Sequence, residues 1–317
     1  MSKPLLHVNE LGKVFGSRSM FRKNEFRAVH DVSFRLEQGE VLAIVGESGS
    51  GKSTIARMLT NLIPATSGDI MYGGQSLRRD KRLGRKLPTF VQMIFQDPFA
   101  ALNPHHTIGY IVGRPLLVQR QWKGDTRPKV LELLQKVGLT PAEDFIDKYP
   151  YQLSGGQKQR VMIAKVLGLA PKVIVADEPT SMLDVSIGVD IMNLLLDLKS
   201  QEQLALILIT HNLGSAKYMA DRIMVMYAGQ MVEYGPAEQV IGEPLHPYTK
   251  LLIYSSPDPW RDASLTMEII DPQGMEIPKT GCAFHHRCPH AGDACRTKSV
   301  AVTKLGGERQ VRCHLYT

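Results

Sequence analysis

Long hydrophobic runs are scarce in this sequence. One of the longest covers residues 204–209, far short of the roughly 20 apolar residues that a membrane-spanning helix needs. The N-terminus, Met1-Ser2-Lys3-Pro4, lacks the apolar core of a secretion signal. We therefore expect a cytosolic chain whose role at any membrane depends on partner proteins.

Cysteine is restricted to one end of the chain, because none occurs before Cys282. Residues 257–317, which contain every cysteine, have several prolines and little hydrophobic periodicity. The chain shows no internal repeat and is long enough for more than one domain. We expect one domain over residues 1–256 and a small C-terminal extension over residues 257–317.

Aromatic residues make up only 7% of the chain, although its net charge is +7. The densest basic stretch, residues 78–86, contains no aromatic residue, whereas surfaces that bind single-stranded nucleic acid use aromatic rings for base stacking. A solvated loop or helix face is the simplest interpretation. Contact with lipid headgroups or a partner's cytosolic face is the alternative, and we expect no nucleic-acid partner.

Strand and helix patterns alternate along the chain. Residues 5–70 contain short strand patterns, and residues 98–168 are mainly helical. The alternation favours an α/β fold with a parallel core sheet and a helical insertion over about residues 98–168. Continuous apolar runs predict buried strands at residues 41–45, 173–176 and 204–209, and helical spacing predicts helices at residues 54–59, 130–137 and 189–198.

The segment from Gly46 to Ser53 matches the phosphate-loop pattern G-x-x-x-x-G-K-S/T, between a predicted strand and a predicted helix. Its glycines allow backbone N–H groups to surround phosphate oxygens at a helix N-terminus. Lys52 is expected to reach the β- and γ-phosphates, and Ser53 to bind Mg²⁺. The expected nucleotide-binding residues here are Gly46, Glu47, Ser48, Gly49, Ser50, Gly51, Lys52, Ser53 and Thr54.

An acidic pair, Asp177 and Glu178, ends the strand predicted at residues 173–176. At this place Asp177 can bind Mg²⁺, directly or through water, and Glu178 can polarise an attacking water. The alternative is that the pair caps the turn at Pro179-Thr180. Because phosphoryl transfer depends mainly on positioning and charge neutralisation, these few groups suffice for it.

Between these two motifs lies the segment Leu153-Ser154-Gly155-Gly156-Gln157, and the combination resembles the ABC-type ATPases. The resemblance implies a P-loop ABC ATPase fold with an N-terminal antiparallel β subdomain and a helical insertion subdomain. It also implies a dimer, in which Ser154, Gly155, Gly156 and Gln157 contact the γ-phosphate of the ATP bound by the other subunit. ATP then joins the subunits, and hydrolysis loosens them.

The same resemblance assigns roles to residues outside these motifs. It implies that Gln96 senses Mg²⁺ and water, that His211 contacts the γ-phosphate, and that Asp184 faces the partner subunit. Phe15 is the candidate for stacking on adenine, with Phe21 or a core role for Phe15 as alternatives. The expected catalytic set is Glu178, His211, Gln96 and Lys52, and the expected Mg²⁺ set is Ser53, Gln96 and Asp177.

Two positions depart from the pattern of the ABC family. Asn212 follows His211 where related transporters usually carry Asp, and Met182 stands where a small residue is commoner. We expect Asn212 to alter contacts near His211 and Met182 to alter local packing. The role of Asp184 is expected to be unaffected.

Residues 96–104, 244–249 and 281–289 resemble one subfamily, the oligopeptide/dipeptide importers and their nickel and oligosaccharide relatives. This resemblance covers nearly the whole chain. It implies that the four cysteines bind a 4Fe-4S cluster, a role that four thiolates suit. Zn²⁺ is an alternative, although zinc sites usually have tighter cysteine spacing, and disulfides are another, although the cytosol is reducing. The cysteines are Cys282, Cys288, Cys295 and Cys313.

The subfamily resemblance implies an ATPase that couples hydrolysis to solute import, with ATP, Mg²⁺ and the 4Fe-4S cluster as cofactors. The expected partners are a second ATPase subunit in a heterodimer, two integral-membrane permeases and, indirectly, an extracytoplasmic solute-binding protein. The chain is then peripheral at the cytoplasmic face of the inner membrane. The alternative is a soluble ABC ATPase that acts on ribosomes or nucleic acid through an iron–sulfur docking module, but such proteins usually carry two ATPase cassettes in one chain.

Overall fold

Two β-sheets organise the protein in a computed structural model that describes residues 4–19, 22–255 and 280–317. The strands are β1 (Leu6–Ser19), β2 (Arg22–Leu36), β3 (Val41–Val45), β4 (Ser67–Tyr72), β5 (Gln75–Ser76), β6 (Val91–Ile94), β7 (Val173–Asp177), β8 (Ala205–Thr210), β9 (Arg222–Tyr227), β10 (Gln230–Pro236), β11 (Thr303–Leu305) and β12 (Arg309–Val311). The helices are α1 (Lys52–Leu59), α2 (Lys81–Lys86), α3 (Pro98–Ala101), α4 (Ile108–Val118), α5 (Arg127–Lys136), α6 (Glu143–Ile146), α7 (Gly155–Leu167), α8 (Val185–Glu202), α9 (Leu213–Met219), α10 (Ala237–Gly242), α11 (Pro247–Tyr254) and α12 (Asp293–Thr297).

The larger sheet has eight strands in the order β11-β12-β10-β9-β3-β8-β7-β6. Its five strands from β9 to β6 are parallel, as the predicted alternation of strands and helices requires. All five residues of β3 are buried, because Val41, Ala43 and Val45 face one core and Leu42 and Ile44 face the other. Burial on both faces explains its continuous apolar sequence.

The smaller sheet, in the order β2-β1-β4-β5, is antiparallel throughout. It packs with α1 against one face of the larger sheet, where Leu11, Val32 and Ile70 join Ile207 and Met224 in one core. β1 and β2 span 14 and 15 residues, so they are longer than the short strands predicted for this region. Register shifts in β1 interrupt its apolar alternation, which makes one long strand read as several short ones.

Helices α3 to α7 lie between β6 and β7 in the chain. The apolar face predicted for α5 is buried at Val130, Leu133 and Leu134, where α5 packs on α4 and α7. The chain turns away after Val137 at Gly138, whose φ of 76° is readily adopted only by glycine. The helices form the side of the protein that carries the segment at residues 153–157.

α8, with 18 residues, is the longest helix in the described part of the chain. It is buried along one stripe that includes Ile191, Leu195 and Leu198, the pattern of a surface helix on a globular domain. No helix within the described ranges is long and apolar enough to cross a membrane.

The C-terminal extension joins the larger sheet through β12, which pairs with β10 and carries β11 at its outer edge. These three-residue strands are too short to produce a periodic apolar pattern, which explains why the sequence predicted only an irregular segment. The predicted boundary near residue 257 lies outside the described residues.

One buried carboxylate anchors the extension to the sheet. Glu233 on β10 is fully buried and accepts hydrogen bonds from Arg309 Nη2 of β12 (3.0 Å) and from the backbone N–H of His246 (2.9 Å) and of Leu245 (3.0 Å). A buried charge is tolerated when it is paired and its oxygens are satisfied. Glu233 therefore ties together β10, the extension and the segment before α11.

Replacing Glu233 by Ala should destabilise the protein. The change removes the acceptor shared by Arg309, which is 7% exposed, and two backbone N–H groups. Removing one partner of a buried ion pair costs about 3–5 kcal/mol of the free energy of unfolding, which urea denaturation of the full chain measures. Glu238→Ala, at an exposed position of α10, is the control and should change that free energy by at most about 0.5 kcal/mol. Equal losses in both variants would contradict the anchoring role.

Candidate functional site

The loop between β3 and α1 folds around the side chain of Lys52. Lys52 Nζ donates hydrogen bonds to the carbonyl oxygens of Gly46 (2.7 Å) and Glu47 (2.8 Å). Gly51, the residue before α1, has a φ of 99°, and a Cβ there would lie 2.5 Å from the carbonyl oxygen of Ala28. Only glycine therefore fits, and the loop brings an ammonium group to the N-terminus of a helix, the arrangement that binds phosphate.

Ser53 and Asp177 meet behind this loop. Ser53 Oγ, in the first turn of α1, donates a hydrogen bond to Asp177 Oδ1 at the end of β7 (3.2 Å). Burial raises the pKa of the Asp177 carboxyl, while the hydrogen bond from Ser53 lowers it. A cation at this place would favour the ionised form. A serine hydroxyl and a carboxylate are oxygen donors of the kind that Mg²⁺ prefers, so the donor set fits this ion.

Glu178 is held by residues that follow the two neighbouring strands. Its Oε2 accepts a hydrogen bond from Gln96 Nε2, just after β6 (3.2 Å), and its Oε1 lies 2.9 Å from His211 Nδ1, just after β8. The backbone of Glu178 has a φ of 47°, which is unusual for a residue with a side chain, and its N–H donates to Ile209 O. The ends of three parallel strands therefore converge on one carboxylate.

A cavity of about 680 Å³ joins the phosphate loop to Glu178, a volume typical of sites for small ligands. Phe26, Ala28 and Leu252, for which the sequence predicts no role, form its apolar wall. No short motif surrounds them, so the sequence carries no signal for this role. The other lining residues are Gly46, Glu47, Ser48, Gly49, Gly51, Lys52, Ser53, Thr54, Gln96, Glu178 and His211.

Phe15 does not line this cavity, in contrast to its expected role on the adenine ring. It lies opposite Phe26 on the neighbouring strand, and Lys13 Nζ sits 5.0 Å from the centre of its ring. Phe26, which is 57% exposed, is the aromatic residue in the cavity wall. Phe21, the other candidate, lies outside the described residues, and the role of Phe15 stays a prediction.

The segment from Ser154 to Gln157 does not line this cavity. It also does not line a second cavity, which Asp184 shares with Glu178 and His211. Ser154 is exposed and caps α7, because its Oγ accepts from Gln157 N–H (3.3 Å) and its own N–H donates to Gln157 Oε1 (3.0 Å). A Cβ at Gly156 would lie 2.7 Å from Ile187 Cγ2, so glycine permits α7 and α8 to pack closely. Ser154 thus presents a helix N-terminus outside the cavity that the chain's own phosphate loop lines.

A second cavity of about 270 Å³ is shared by Asp184, Glu178 and His211. Asp184 is the exposed residue at the start of α8. Asn212, the departure from the family pattern, caps α9 by accepting a hydrogen bond from Ser215 N–H (3.1 Å). Asn and Asp are equivalent as capping residues, so the structure gives Asn212 a local role. Met182 is 50% exposed, and its side chain therefore places little demand on packing.

The four cysteines come together as free thiols in the extension. Burial raises the pKa of Cys282 to about 11, and the nearby Cys295, Cys313 and Cys288 contribute to the rise. Cys282 N–H also donates to Cys295 O (2.7 Å). Among the residues that the structure describes, however, no group of three or more His, Cys, Asp or Glu side chains is arranged to hold a metal ion. The geometry therefore does not support the predicted cluster site, although the donor chemistry suits it.

Comparisons of the sequence with protein families and with individual proteins agree with one another. Residues 29–181 match the family described as "ABC transporter", and residues 232–295 match "oligopeptide/dipeptide transporter, C-terminal region". The chain is 43% identical to the di/tripeptide transport ATP-binding protein DppF of Pseudomonas aeruginosa, over 94% of this chain and 93% of that protein. It is 40% identical to the dipeptide transport ATP-binding protein DppD of Escherichia coli, over 98% and 96%.

Solved structures give the same result. The dimeric post-hydrolysis structure of the ATP-binding cassette MJ0796, bound to ADP and Pi, matches with a TM-score of 0.64 and 29% identity, over 73% of this chain and 98% of that one. The cbiO1 protein of Clostridium perfringens, part of the cbiONQ ABC transporter complex, matches with a TM-score of 0.66 and 29% identity, over 76% and 92%. The predicted P-loop ABC ATPase fold is confirmed, and the chain belongs to the ATP-binding subunits of the oligopeptide/dipeptide family of ABC transporters, a family of ATPases.

Proposed function

We propose that this chain hydrolyses ATP to drive a membrane importer for peptides or a related solute. The observation that carries the proposal is the Glu178 carboxylate, held between Gln96 and His211 at the edge of the cavity that the phosphate loop lines. A carboxylate beside a phosphate site is the group that hydrolysis requires for a water nucleophile. The names of the relatives, which specify di/tripeptide, dipeptide and oligopeptide transport, support a peptide cargo.

Lys52 and the phosphate-loop backbone bind the ATP phosphates in this proposal. Lys52 donates hydrogen bonds to two carbonyl oxygens of its own loop. Oxygens of the β- and γ-phosphates would replace these two acceptors when ATP binds. Burial lowers the pKa of Lys52, whereas Glu178, Asp177 and Glu47 raise it. Ser53, Asp177 and Gln96 would hold Mg²⁺, which when bound neutralises charge on the phosphate oxygens.

Glu178 orients the attacking water and accepts its proton. Since each carboxylate oxygen has a partner, Gln96 or His211, the plane of the carboxylate is fixed before substrate binds. His211 is 63% exposed in its side chain, against 16% for Glu178. This exposure leaves His211 free to contact a γ-phosphate from the open side of the cavity while it positions the base.

The complete site requires a second ATPase subunit. Ser154, Gly155, Gly156 and Gln157 lie at the N-terminus of α7, outside the chain's own nucleotide cavity. A helix N-terminus stabilises an anion, so this segment would serve the γ-phosphate bound by the other subunit. Asp184 would face the same partner. The dimeric solved relative supports this arrangement.

The remaining assembly follows from the transporter role. The chain would sit at the cytoplasmic face of the inner membrane, bound to two permease subunits that receive solute from an extracytoplasmic binding protein. A related but different ATPase would complete a heterodimer. The groove near Gln96, between the core and the helical insertion over about residues 98–168, would receive a permease helix.

The four cysteines would bind a 4Fe-4S cluster that orders the extension, with Zn²⁺ as the alternative metal. The donor chemistry of four free thiols in the extension supports this assignment, although in the described residues they are not arranged to hold a metal ion. The match of residues 232–295 to the C-terminal region of the oligopeptide/dipeptide transporters, which includes three of these cysteines, supports a shared design of the extension.

Glu178→Gln should abolish ATP turnover but leave ATP binding intact. The amide keeps the size of the side chain and its contact with the cavity, yet it cannot accept a proton from water. We expect a fall in kcat of about 10²–10⁴-fold, together with an ATP-stabilised dimer visible by size-exclusion chromatography with light scattering. The control is Glu202→Gln, on a carboxylate that pairs with Lys136 away from the cavity. Turnover at the parental rate in Glu178→Gln would refute the assignment of the base.

Cys288→Ser should remove any bound iron–sulfur cluster while nucleotide binding stays unchanged. Anaerobic purification, followed by iron, sulfide and zinc analysis and visible absorbance, measures the loss. A parental chain that contains four iron atoms and four sulfides would establish the 4Fe-4S cluster. Zinc without iron or sulfide would establish Zn²⁺ as the bound metal instead. Retention of the full metal content in Cys288→Ser would exclude this residue as a ligand.

Co-purification tests the transporter role directly. The tagged chain, isolated in mild detergent, should recover two multi-span membrane proteins and a second ATPase, identified by mass spectrometry. The Lys52→Ala variant, handled in parallel, should recover the permeases but lose ATP-dependent stabilisation of the ATPase pair. Ribosomes or nucleic acid without any membrane protein would instead favour the soluble ABC ATPase.

A further inference from the structure

In the described part of the C-terminal extension, residues 280–317, the side chain of Arg287 contacts the phosphate loop. Arg287 Nη1 lies 3.0 Å from both carboxylate oxygens of Glu47. Glu47 is the second residue of the phosphate loop, and it lines the nucleotide cavity. The contact therefore joins two parts of the chain separated by 240 positions, and it ends at the wall of the proposed ATP site.

Tyr248 fixes the backbone of the same residue. The N–H of Glu47 donates a hydrogen bond to Tyr248 Oη (2.9 Å). Tyr248 lies in the first turn of α11 and is fully buried, so its position depends on packing rather than on solvent. Arg287 and Tyr248 thus hold Glu47 at its side chain and at its main chain.

Aromatic packing positions Arg287 and Tyr248, the two residues that hold Glu47. Phe284, which is 2% exposed, lies with its ring centre 5.5 Å from that of Tyr248 and 5.3 Å from that of Tyr227. Phe284 directly precedes the 3₁₀ turn at His285–Arg287, and the Arg287 guanidinium lies 5.9 Å from the centre of the Tyr227 ring. The Arg287 side chain is 12% exposed, so the ion pair is largely covered on the arginine side.

Because Glu47 is negatively charged, its contact with Arg287 has a consequence for ATP binding. Glu47 lines the cavity proposed to bind the triphosphate of ATP, and a carboxylate and a phosphate repel each other because both are negative. Arg287 neutralises the carboxylate and holds both of its oxygens at 3.0 Å, beside a loop whose backbone N–H groups bind phosphates. Without Arg287 the carboxylate would be free to turn into the cavity.

We propose that Arg287 and Tyr248 are positioning residues for the phosphate loop, and that through Arg287 the C-terminal extension sets the affinity for ATP. The proposal rests on the assignment of the phosphate loop as the ATP site. It gives the extension a role in the nucleotide cycle beyond carrying the four cysteines. It also assigns a role to Tyr248, which lies in the subfamily segment at residues 244–249.

Equilibrium binding of MgATP to the full chain tests the proposal, in a Glu178→Gln background that prevents turnover. Arg287→Met keeps the length and apolar stem of the side chain but frees the Glu47 carboxylate, and should raise Kd for ATP about five- to tenfold. Tyr248→Phe removes only the hydroxyl and should raise Kd about two- to threefold. Arg287→Lys keeps the charge and should retain most of the affinity.

Adding Glu47→Gln to Arg287→Met removes the uncompensated charge and should return Kd for ATP to within about twofold of the parental value. A variant that had simply misfolded would not recover affinity in this way. In the active background, Arg287→Met should raise KM with kcat nearly unchanged, because the residue does not touch the reacting atoms. The matched control is Glu308→Gln, which breaks another ion pair of the extension, that with Arg222 (3.0 Å), and should leave Kd unchanged.

An unchanged Kd in Arg287→Met, no recovery with Glu47→Gln, or an equal rise in Glu308→Gln would each overturn the proposal. Lys52→Ala separates this failure from failure of the ATP site itself. If Lys52→Ala weakens ATP binding while Arg287→Met does not, only the role of the extension is wrong. If neither variant weakens binding, the phosphate loop is not the ATP site, and both assignments fall.

Discussion

The convergence of three strand ends on the Glu178 carboxylate is the constraint on which the site depends. Because β6, β7 and β8 are parallel neighbours, the residues that follow them, Gln96, Glu178 and His211, meet at one edge of the sheet. Glu178 adopts a left-handed backbone conformation there, a cost that the surrounding structure must offset. Its N–H bond to Ile209 O and its two side-chain partners supply that offset.

The sequence predicted the strands and the phosphate loop at this edge better than the other walls of the cavity. The phosphate loop and the buried strands are local patterns, so their positions could be inferred from glycine spacing and apolar runs alone. Contacts between distant segments, such as that of Phe26 or Leu252 with the cavity, leave no local pattern. Phe15 and Phe26 are the same residue type and lie opposite each other on β1 and β2. Their places in the sequence therefore could not show which of the two contributes to the cavity.

Small residues connect the nucleotide edge to the surface that a second subunit would meet. Gly155 and Gly156 pack against Leu183 and Ile187, which flank Asp184 at the start of α8. Asp184 in turn shares a cavity with Glu178 and His211. A shift of α7 relative to α8 would therefore reach the cavity that Glu178 lines, since closely packed elements transmit displacement.

The described part of the extension, residues 280–317, contributes strands to the larger sheet. Its strand β12 pairs with β10, and its ion pairs reach the sheet at Glu233 and Arg222 and the phosphate loop at Glu47. A solvent-exposed ion pair contributes little to the free energy of unfolding. Arg309, in contrast, pairs with the buried Glu233, and Arg287 lies near the rings of Tyr227 and Phe284. The four-cysteine region and the phosphate loop are therefore connected through packed contacts, the route by which the extension would act on ATP binding.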